Sequence, residues 1–128
     1  MEQYGKMVEK LKERGCRITP QRLGIMKVIS KYRGKHPALN DLMEDLKVSM
    51  PTVSFSTLYN TVMKFEEMGL IHLFNVGGET RIDTEMRPHI NIIDNKSGRI
   101  TDMDDAKLLG LIKRKIKSDD IIVNIIVY

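Results

Sequence analysis

The chain has 128 residues, enough for one domain or two very small ones. Its composition, 41% apolar and 30% charged, is typical of a soluble globular protein. No apolar run approaches the roughly 20 residues that span a bilayer, which excludes a membrane protein. The charged N-terminus lacks the apolar stretch of a signal peptide, so we expect a cytoplasmic protein.

Charge is distributed unevenly. Residues 1–36 carry ten Lys and Arg and three Glu, a net +7, whereas residues 37–128 carry eleven Lys and Arg and fourteen Asp and Glu, a net −3. A basic end favours a nucleic-acid partner, although a membrane surface or an acidic protein would also attract it. Cys16 is the single cysteine, so any metal must rest on nitrogen and oxygen ligands. We expect Cys16 to pack between the first two helices rather than to sense oxidants.

Apolar spacing predicts four helices in the first half of the chain. The first ends at Gly15, the second has Thr19 as N-cap and Pro20 in its first turn, the third is capped by Asn40, and the fourth spans roughly 54–68. The side chains predicted to face the core are Tyr4, Met7, Val8, Leu11, Ile25, Met26, Ile29, Leu42, Met43, Leu46, Leu58, Val62 and Phe65.

The apolar spacing then changes to one typical of strands. Residues 70–75 and 79–83 flank Val76-Gly77-Gly78 and predict a β-hairpin. Four helices followed by a hairpin predict a winged helix-turn-helix domain. In such a domain the fourth helix enters the major groove of DNA, and the hairpin lies along its backbone.

The remaining residues predict a small α/β domain. Beyond a linker at 84–88, they predict a second hairpin, a helix opened by Asp104 and Asp105, and a final apolar strand over 121–128. About 40 residues are too few to be stable alone, and that strand would be a hazardous exposed edge. We therefore predict an α+β fold, with a winged-helix DNA-binding domain at 1–83 and an α/β dimerisation domain at 89–128. The last strand is expected to be buried among its own sheet, the helix and another copy, in a symmetric homodimer. A monomer whose last strand packs on the first helix is the alternative.

A series of short motifs occurs in the order seen in one known family. They are Arg17-Ile18-Thr19-Pro20-Gln21-Arg22, His36-Pro37, Val53-Ser54-Phe55-Ser56-Thr57-Leu58-Tyr59, Gly69-Leu70-Ile71, Arg81-Ile82-Asp83 and Pro88-His89. In this set and order the sequence resembles the ferric uptake regulator family. The resemblance implies a dimeric, metal-responsive, DNA-binding transcription regulator and not an enzyme.

The resemblance also implies one regulatory divalent metal ion per subunit, Fe²⁺, Mn²⁺ or Zn²⁺. Its ligands by position are His36, Asp83, His89, Asn91 and Asp102. Asn91 stands where the family has a histidine, and an amide oxygen in place of an imidazole favours Mn²⁺ or Fe²⁺ over Zn²⁺. The alternative is structural: His36 would cap a helix, and the two aspartates would be solvated strand ends.

The structural zinc site of the family, which is built from four cysteines, is not expected here. Many members carry a CxxC pair where this sequence has Asp94 and Ser97, and Cys16 alone cannot replace the missing thiolates. Packing of the apolar strand and helix would then hold the dimer together. Metal sensing could also be lost, leaving a metal-independent regulator.

The resemblance places DNA contacts mainly on the fourth helix. Tyr59 matches the family's tyrosine and is expected to press on a thymine methyl group, while Asn60, often arginine in the family, prefers adenine edges to guanine. Arg17 matches the basic residue that the family places near a minor groove. The candidates for phosphate contacts are Ser54, Ser56 and Thr57 at the start of the fourth helix, followed by Arg22, Lys64 and Arg81. For Arg22, Lys64 and Arg81, an ordinary solvated surface role is the alternative.

Three classes of function follow from these observations. The favoured one is a regulator that binds double-stranded DNA at a palindromic operator, with no small-molecule substrate. The second is a protein-interaction module that keeps the winged helix as a scaffold and lacks salt-dependent DNA binding. An enzyme is the weakest, because the three histidines lie far apart in sequence and Cys16 has no nucleophile motif around it.

Overall fold

The computed structural model describes residues 2–128, which contain five helices and five strands. The helices are α1 (Glu2–Glu13), α2 (Pro20–Ser30), α3 (Leu39–Ser49), α4 (Phe55–Glu67) and α5 (Ala106–Ile116). The strands are β1 (His72–Val76), β2 (Glu79–Asp83), β3 (His89–Asp94), β4 (Ile100–Met103) and β5 (Ile122–Val127). Each helix described in residues 2–128 is too short or too polar to span a lipid bilayer.

The chain divides into two units. The first takes in the chain up to Asn75 together with Glu79–Glu85, and the second takes in Val76–Gly78 and Met86–Tyr128. The main break, between Glu85 and Met86, falls inside the segment 84–88 that the sequence assigned to a linker.

Helices α1 to α4 enclose the core of the first unit. Most of the side chains predicted to face inward are buried, and Tyr4, Val8 and Met43 pack half-buried at the edge of the core. The fully buried members are Leu11, Ile25, Met26, Ile29, Leu42, Leu58, Val62 and Phe65, each 0% exposed. The predicted helical spacing is therefore confirmed.

The N-caps of α2 and α3 show where neighbouring residues alone predict the start of a helix and where they do not. Thr19 caps α2 as predicted, since its Oγ1 accepts the N–H of Arg22 at 3.1 Å. The predicted cap of α3 at Asn40 is wrong, because the cap is Ala38, two residues earlier, and α3 begins at Leu39. Ala38 forms an antiparallel bridge with Arg81 of β2, and its N–H donates to Asp41 Oδ2 at 2.9 Å. That bridge keeps Ala38 extended, so the helix starts directly after it.

The hairpin between β1 and β2 turns at Gly77 and Gly78. Both have positive φ, +57° and +84°, as a two-residue turn of the type I′ class requires. The prediction that the first strand starts at residue 70 is wrong. Leu70 donates its N–H to Phe65 O at 3.0 Å and so closes the end of α4, with Gly69 in the left-handed conformation.

The second unit contains a three-stranded sheet in the order β4-β3-β5. Central strand β3 is antiparallel to β4 and parallel to β5, with Asn91 paired to Asp102 on one side and to Asn124 on the other. Side chains of α5 are not buried, and those at the end of β5 are exposed, including Ile126 at 46% and Val127 at 48%. Within this chain the last strand therefore leaves apolar surface uncovered.

The turn between β3 and β4 is closed by side chains. Asp94 Oδ1 accepts the N–H groups of Lys96 at 2.9 Å and Ser97 at 3.3 Å, and Ser97 Oγ accepts the N–H of Arg99 at 3.2 Å. The N–H groups of Lys96 and Ser97 lower the pKa of the Asp94 carboxyl. Asp94 and Ser97 stand where many family members carry cysteines, and here they close the turn with oxygen acceptors.

Candidate nucleic-acid interface and metal ligands

Helix α4 presents the predicted base-reading side chains to solvent. Leu58, Val62 and Phe65 anchor its inner face in the core, whereas Tyr59 is 41% exposed and Asn60 is also exposed. Since the anchored face fixes the rotation of the helix, the exposed face has a defined orientation. A major groove could receive this face without any rearrangement of the core.

The first turn of α4 is capped by its own hydroxyls. Ser54 Oγ accepts the N–H of Thr57 at 3.1 Å and lies 3.0 Å from Thr57 Oγ1. Ser56 is exposed beside them. The first backbone N–H groups of a helix have no partner within the helix, so this end favours anions such as phosphate.

Arg17 and Arg22 have different environments. Arg22 is half-buried, and its Nη1 donates to Arg17 O at 2.8 Å and to Cys16 Sγ at 3.1 Å. Cys16 is 8% exposed and belongs to the core, as predicted. Arg22 therefore braces the connection between α1 and α2, while the Arg17 side chain is exposed.

The remaining basic candidates are held by acidic neighbours. Lys64 lies 3.7 Å from Glu67 one turn along α4, and Arg81 lies 3.3 Å from Glu79 on the same strand. Arg81 also donates from Nη1 to His36 O at 3.1 Å. Arg81 thus has a structural role in addition to any contact with phosphate.

Two of the predicted metal ligands come together in the first unit. His36 Nε2 lies 3.7 Å from Asp83 Oδ2, with the two side chains 14% and 4% exposed. Strand β2 carries Asp83 and also fixes the segment of His36, because the N–H of Ile82 donates to Pro37 O at 2.9 Å. The ring of Phe74 meets the His36 imidazole edge-on, with centroids 6.0 Å apart.

The other three predicted ligands lie on the sheet of the second unit. Asn91 is fully buried at the centre of β3, His89 is two residues before it on the same face, and Asp102 is opposite it on β4 and exposed. His89 Nδ1 lies 2.7 Å from Arg87 O, an oxygen that can only accept, so Nδ1 carries the proton. In the neutral ring Nε2 then carries a lone pair, as a metal ligand needs.

Asn91 departs from this arrangement. Its amide nitrogen, not its oxygen, lies 3.2 Å from His89 Nε2 and donates to Asn124 Oδ1 at 3.0 Å. Coordination through the Asn91 oxygen on that side would require the amide to turn over, and the Asn124 amide with it. By donor type alone, His36, Asp83, His89 and Asp102 offer the nitrogen and oxygen atoms that divalent ions take, and Asn91 offers its oxygen only after that change.

Within residues 2–128, no group of three His, Cys, Asp or Glu side chains lies close enough together to hold a metal ion. The five-residue ligand set therefore stays a prediction. Asn124 was missed by the sequence analysis, although a polar residue between the apolar pairs of the last strand was a visible signal.

Comparisons with known proteins identify the family. The model of the ferric uptake regulator family matches residues 13–125. The chain belongs to this family. Its members are dimeric DNA-binding transcription regulators, so the resemblance carried by the motifs is confirmed.

Individual relatives agree with this assignment. A ferric uptake regulation protein homolog of Archaeoglobus fulgidus is 39% identical over 118 residues, covering 92% of this chain and 91% of the relative. A peroxide-responsive repressor of Staphylococcus epidermidis is 33% identical over 97 residues, 74% of this chain and 63% of the relative. The ferric uptake regulator of Pseudomonas aeruginosa, solved with manganese, superposes with a TM-score of 0.74 at 19% identity, covering 93% of this chain and 96% of the other. The last comparison confirms the predicted α+β fold.

Proposed function

We propose that this member of the ferric uptake regulator family is a cytoplasmic transcription repressor that binds a palindromic DNA operator as a homodimer. The observation that carries the proposal is the exposed face of α4, with Tyr59 and Asn60 held outward by a fully buried inner face. The basic balance of residues 1–36 supplies the attraction to phosphate. A relative 33% identical to this chain is itself named a repressor.

The proposed DNA contacts divide by role. Asn60 and Tyr59 read base edges, with Asn60 suited to adenine and Tyr59 to a thymine methyl group. Ser54, Ser56 and Thr57 at the start of α4 face phosphate, joined by Arg17 and Lys64. Arg22 acts chiefly by holding the Arg17 backbone, because its guanidinium is engaged by Arg17 O and Cys16.

We assign the dimer interface to α5 and β5. Their exposed apolar side chains include Leu111, Ile116, Ile125, Ile126 and Val127. A unit of this size buries little apolar surface by itself, and a second copy would cover these side chains.

Affinity for DNA is proposed to rise when one Fe²⁺ or Mn²⁺ ion is held by His36, Asp83, His89, Asn91 and Asp102. The bound ion would supply a positive centre that draws donors from separate parts of the chain together. Strand β2 holds Asp83 and the His36 segment in place, and Arg87 O holds the His89 ring in the tautomer that leaves a lone pair on Nε2. Any preference of the ion for one conformation becomes a change in DNA affinity by linkage.

A metal-independent regulator is the second candidate. The observation that favours it is the orientation of Asn91, which donates to Asn124 and directs an N–H group toward His89. In that case His89 and Asn91 would be structural members of the sheet.

The test is selection from a random duplex pool by chelator-treated protein at fixed salt, with and without added Mn²⁺. Enrichment of a palindrome that depends on Mn²⁺ supports the metal-responsive repressor. Equal enrichment in both supports the metal-independent regulator. No enrichment in either contradicts DNA binding and favours the interaction module.

Two variants locate the activity. Tyr59→Ala is expected to weaken binding to the selected duplex with the dimer intact, and His89→Ala is expected to abolish the response to Mn²⁺. The matched controls are Val48→Ala, an 88% exposed apolar residue outside α4, and His72→Asn, a histidine outside the proposed ligand set. An unchanged affinity of Tyr59→Ala, or a full Mn²⁺ response of His89→Ala, would contradict the corresponding assignment.

A further inference from the structure

The exposed apolar side chains of the first unit are concentrated on one helix. Among its described residues, the large apolar side chains with more than a third of their surface exposed are Val48 at 88%, Phe55 at 47%, Tyr59 at 41% and Met63 at 37%. Isolated exposed apolar residues are common on protein surfaces and need no explanation. Here, however, three of the four lie on α4 at intervals of four residues.

That spacing places them in one row. With 3.6 residues per turn, positions four apart lie about 40° apart around the helix and about 6 Å apart along it. The row begins at Phe55, the first residue of α4, and is separate from the core positions Leu58, Val62 and Phe65, which are 0% exposed. Packing of the core therefore does not account for Phe55, Tyr59 and Met63.

The neighbours of the row indicate what could cover it. Exposed Ser56 and Asn60 lie next to it on the same helix, and the capped N-terminus of α4 adjoins its beginning. Polar side chains beside the row, in a chain whose residues 1–36 carry a net +7, suit a nucleic-acid surface better than an apolar protein partner. In the major groove, the apolar feature of the base edges is the C5-methyl group of thymine.

We propose that Phe55, Tyr59 and Met63 form a row that reads thymine methyl groups. This inference rests on the proposed DNA-binding function and extends the thymine contact expected for Tyr59 to two further residues. Base pairs rise about 3.4 Å along a strand, so side chains about 6 Å apart meet positions about two base pairs apart. Each half-site of the operator would then carry thymine at up to three such positions, on one strand or the other.

The experiment replaces thymine by deoxyuridine in the duplex selected by the wild-type protein. This change removes the methyl group and leaves every hydrogen-bonding atom of the base edge in place. Loss of one buried methyl contact is expected to weaken binding about fourfold, and losses at separate positions should multiply. The measured quantity is the ratio of Kd for the uracil duplex to Kd for the thymine duplex, position by position.

Variants connect each methyl group to a side chain. Phe55→Ala and Met63→Ala are each expected to bring the ratio of Kd for the uracil duplex to Kd for the thymine duplex close to 1 at one position, with the wild-type ratio kept at the others. Phe55→Leu, which keeps an apolar contact, should retain most of the preference. It also shows whether a loss in Phe55→Ala comes from the missing contact or from a disturbed first turn of α4. Val48→Ala is the matched control and should keep the wild-type ratio at all positions.

The outcomes separate the two proposals. Sequence-specific binding with equal Kd for thymine and uracil duplexes overturns the row as a reader of methyl groups and leaves the regulator function standing. A thymine preference that persists unchanged in Phe55→Ala and Met63→Ala also overturns it, since the methyl contacts would lie elsewhere. Absence of specific DNA binding by the wild type contradicts the proposed function itself.

Discussion

Replacing Tyr32 by phenylalanine removes a hydrogen bond that joins the turn after α2 to Asp45 of α3. Tyr32 Oη donates to Asp45 Oδ2 at 2.6 Å. The hydrogen bond to Asp45, with smaller contributions from burial and from the charge of that carboxylate, raises the pKa of Tyr32 to about 12 from 10.0. The neutral hydroxyl is therefore favoured in the folded state.

The size of the effect follows from two estimates. A hydrogen bond to a charged group contributes roughly 1.5–3 kcal/mol, and a pKa raised from 10.0 to about 12 corresponds to a free energy of the same order. Because the Tyr32 side chain is only half-buried and water can replace part of the interaction, we expect the lower end, about 1.5 kcal/mol. In a chain of this length that loss lowers Tm by roughly 5 °C.

The assay is thermal unfolding at fixed protein concentration, at pH 8 and at pH values between 10 and 12. Because the folded-state pKa is raised, the stabilisation is fully present below pH 10 and is lost as pH approaches 12. The difference between wild type and Tyr32→Phe should therefore shrink over that interval. Tyr4→Phe is the matched control, since Tyr4 packs against the same core. Equal losses in both variants, or a difference that does not shrink above pH 10, would refute the reasoning.

Three further predictions concern other parts of the chain. Asp94→Ala should lower Tm at pH 7 more than the control Asn95→Ala. Because the pKa of Asp94 is lowered from 3.8, the stabilisation by its carboxylate is present above pH 3.8 and disappears as pH falls further. A melting difference that is constant with pH would contradict this. Phe65→Ala should cost about 3–5 kcal/mol in urea unfolding, because the ring is 0% exposed, and a loss below about 1 kcal/mol would show that the core refills the space. Arg17→Ala removes one phosphate contact from each subunit of the dimer, and each contact contributes about 0.9 to the slope of log K against log salt, so the slope should fall by about 1.8; an unchanged slope excludes a phosphate contact.

Much of the first unit could be predicted because its signals are local. The Thr19 cap, the glycine that ends α4 and the Gly77-Gly78 turn each depend on residues only a few positions apart. The inward faces of the helices followed from apolar spacing for the same reason. The apolar spacing in α4 predicted its buried face, so the exposure of Tyr59 and Asn60 outside that face could be predicted too.

The pairing of distant groups could not be predicted in this way. Nothing near Asn40 reveals that Ala38 bridges to Arg81, 43 residues later, and so the start of α3 was misplaced. The environment of Arg22 likewise depends on how the loop after α1 folds back onto α2.

By itself, then, the sequence determined the order of helices and strands and the positive charge of residues 1–36. It also determined the motifs that indicate the family and the types of side chain available as ligands. Only the tertiary structure decided which of those side chains meet. Strand β2 brings Asp83 to 3.7 Å from His36. The parallel register of β3 and β5 places Asn124 beside Asn91, and the amide nitrogen of Asn91 faces His89. The physical reason is that caps and turns are settled by neighbouring dihedral angles, whereas register between strands is settled by packing across the whole sheet.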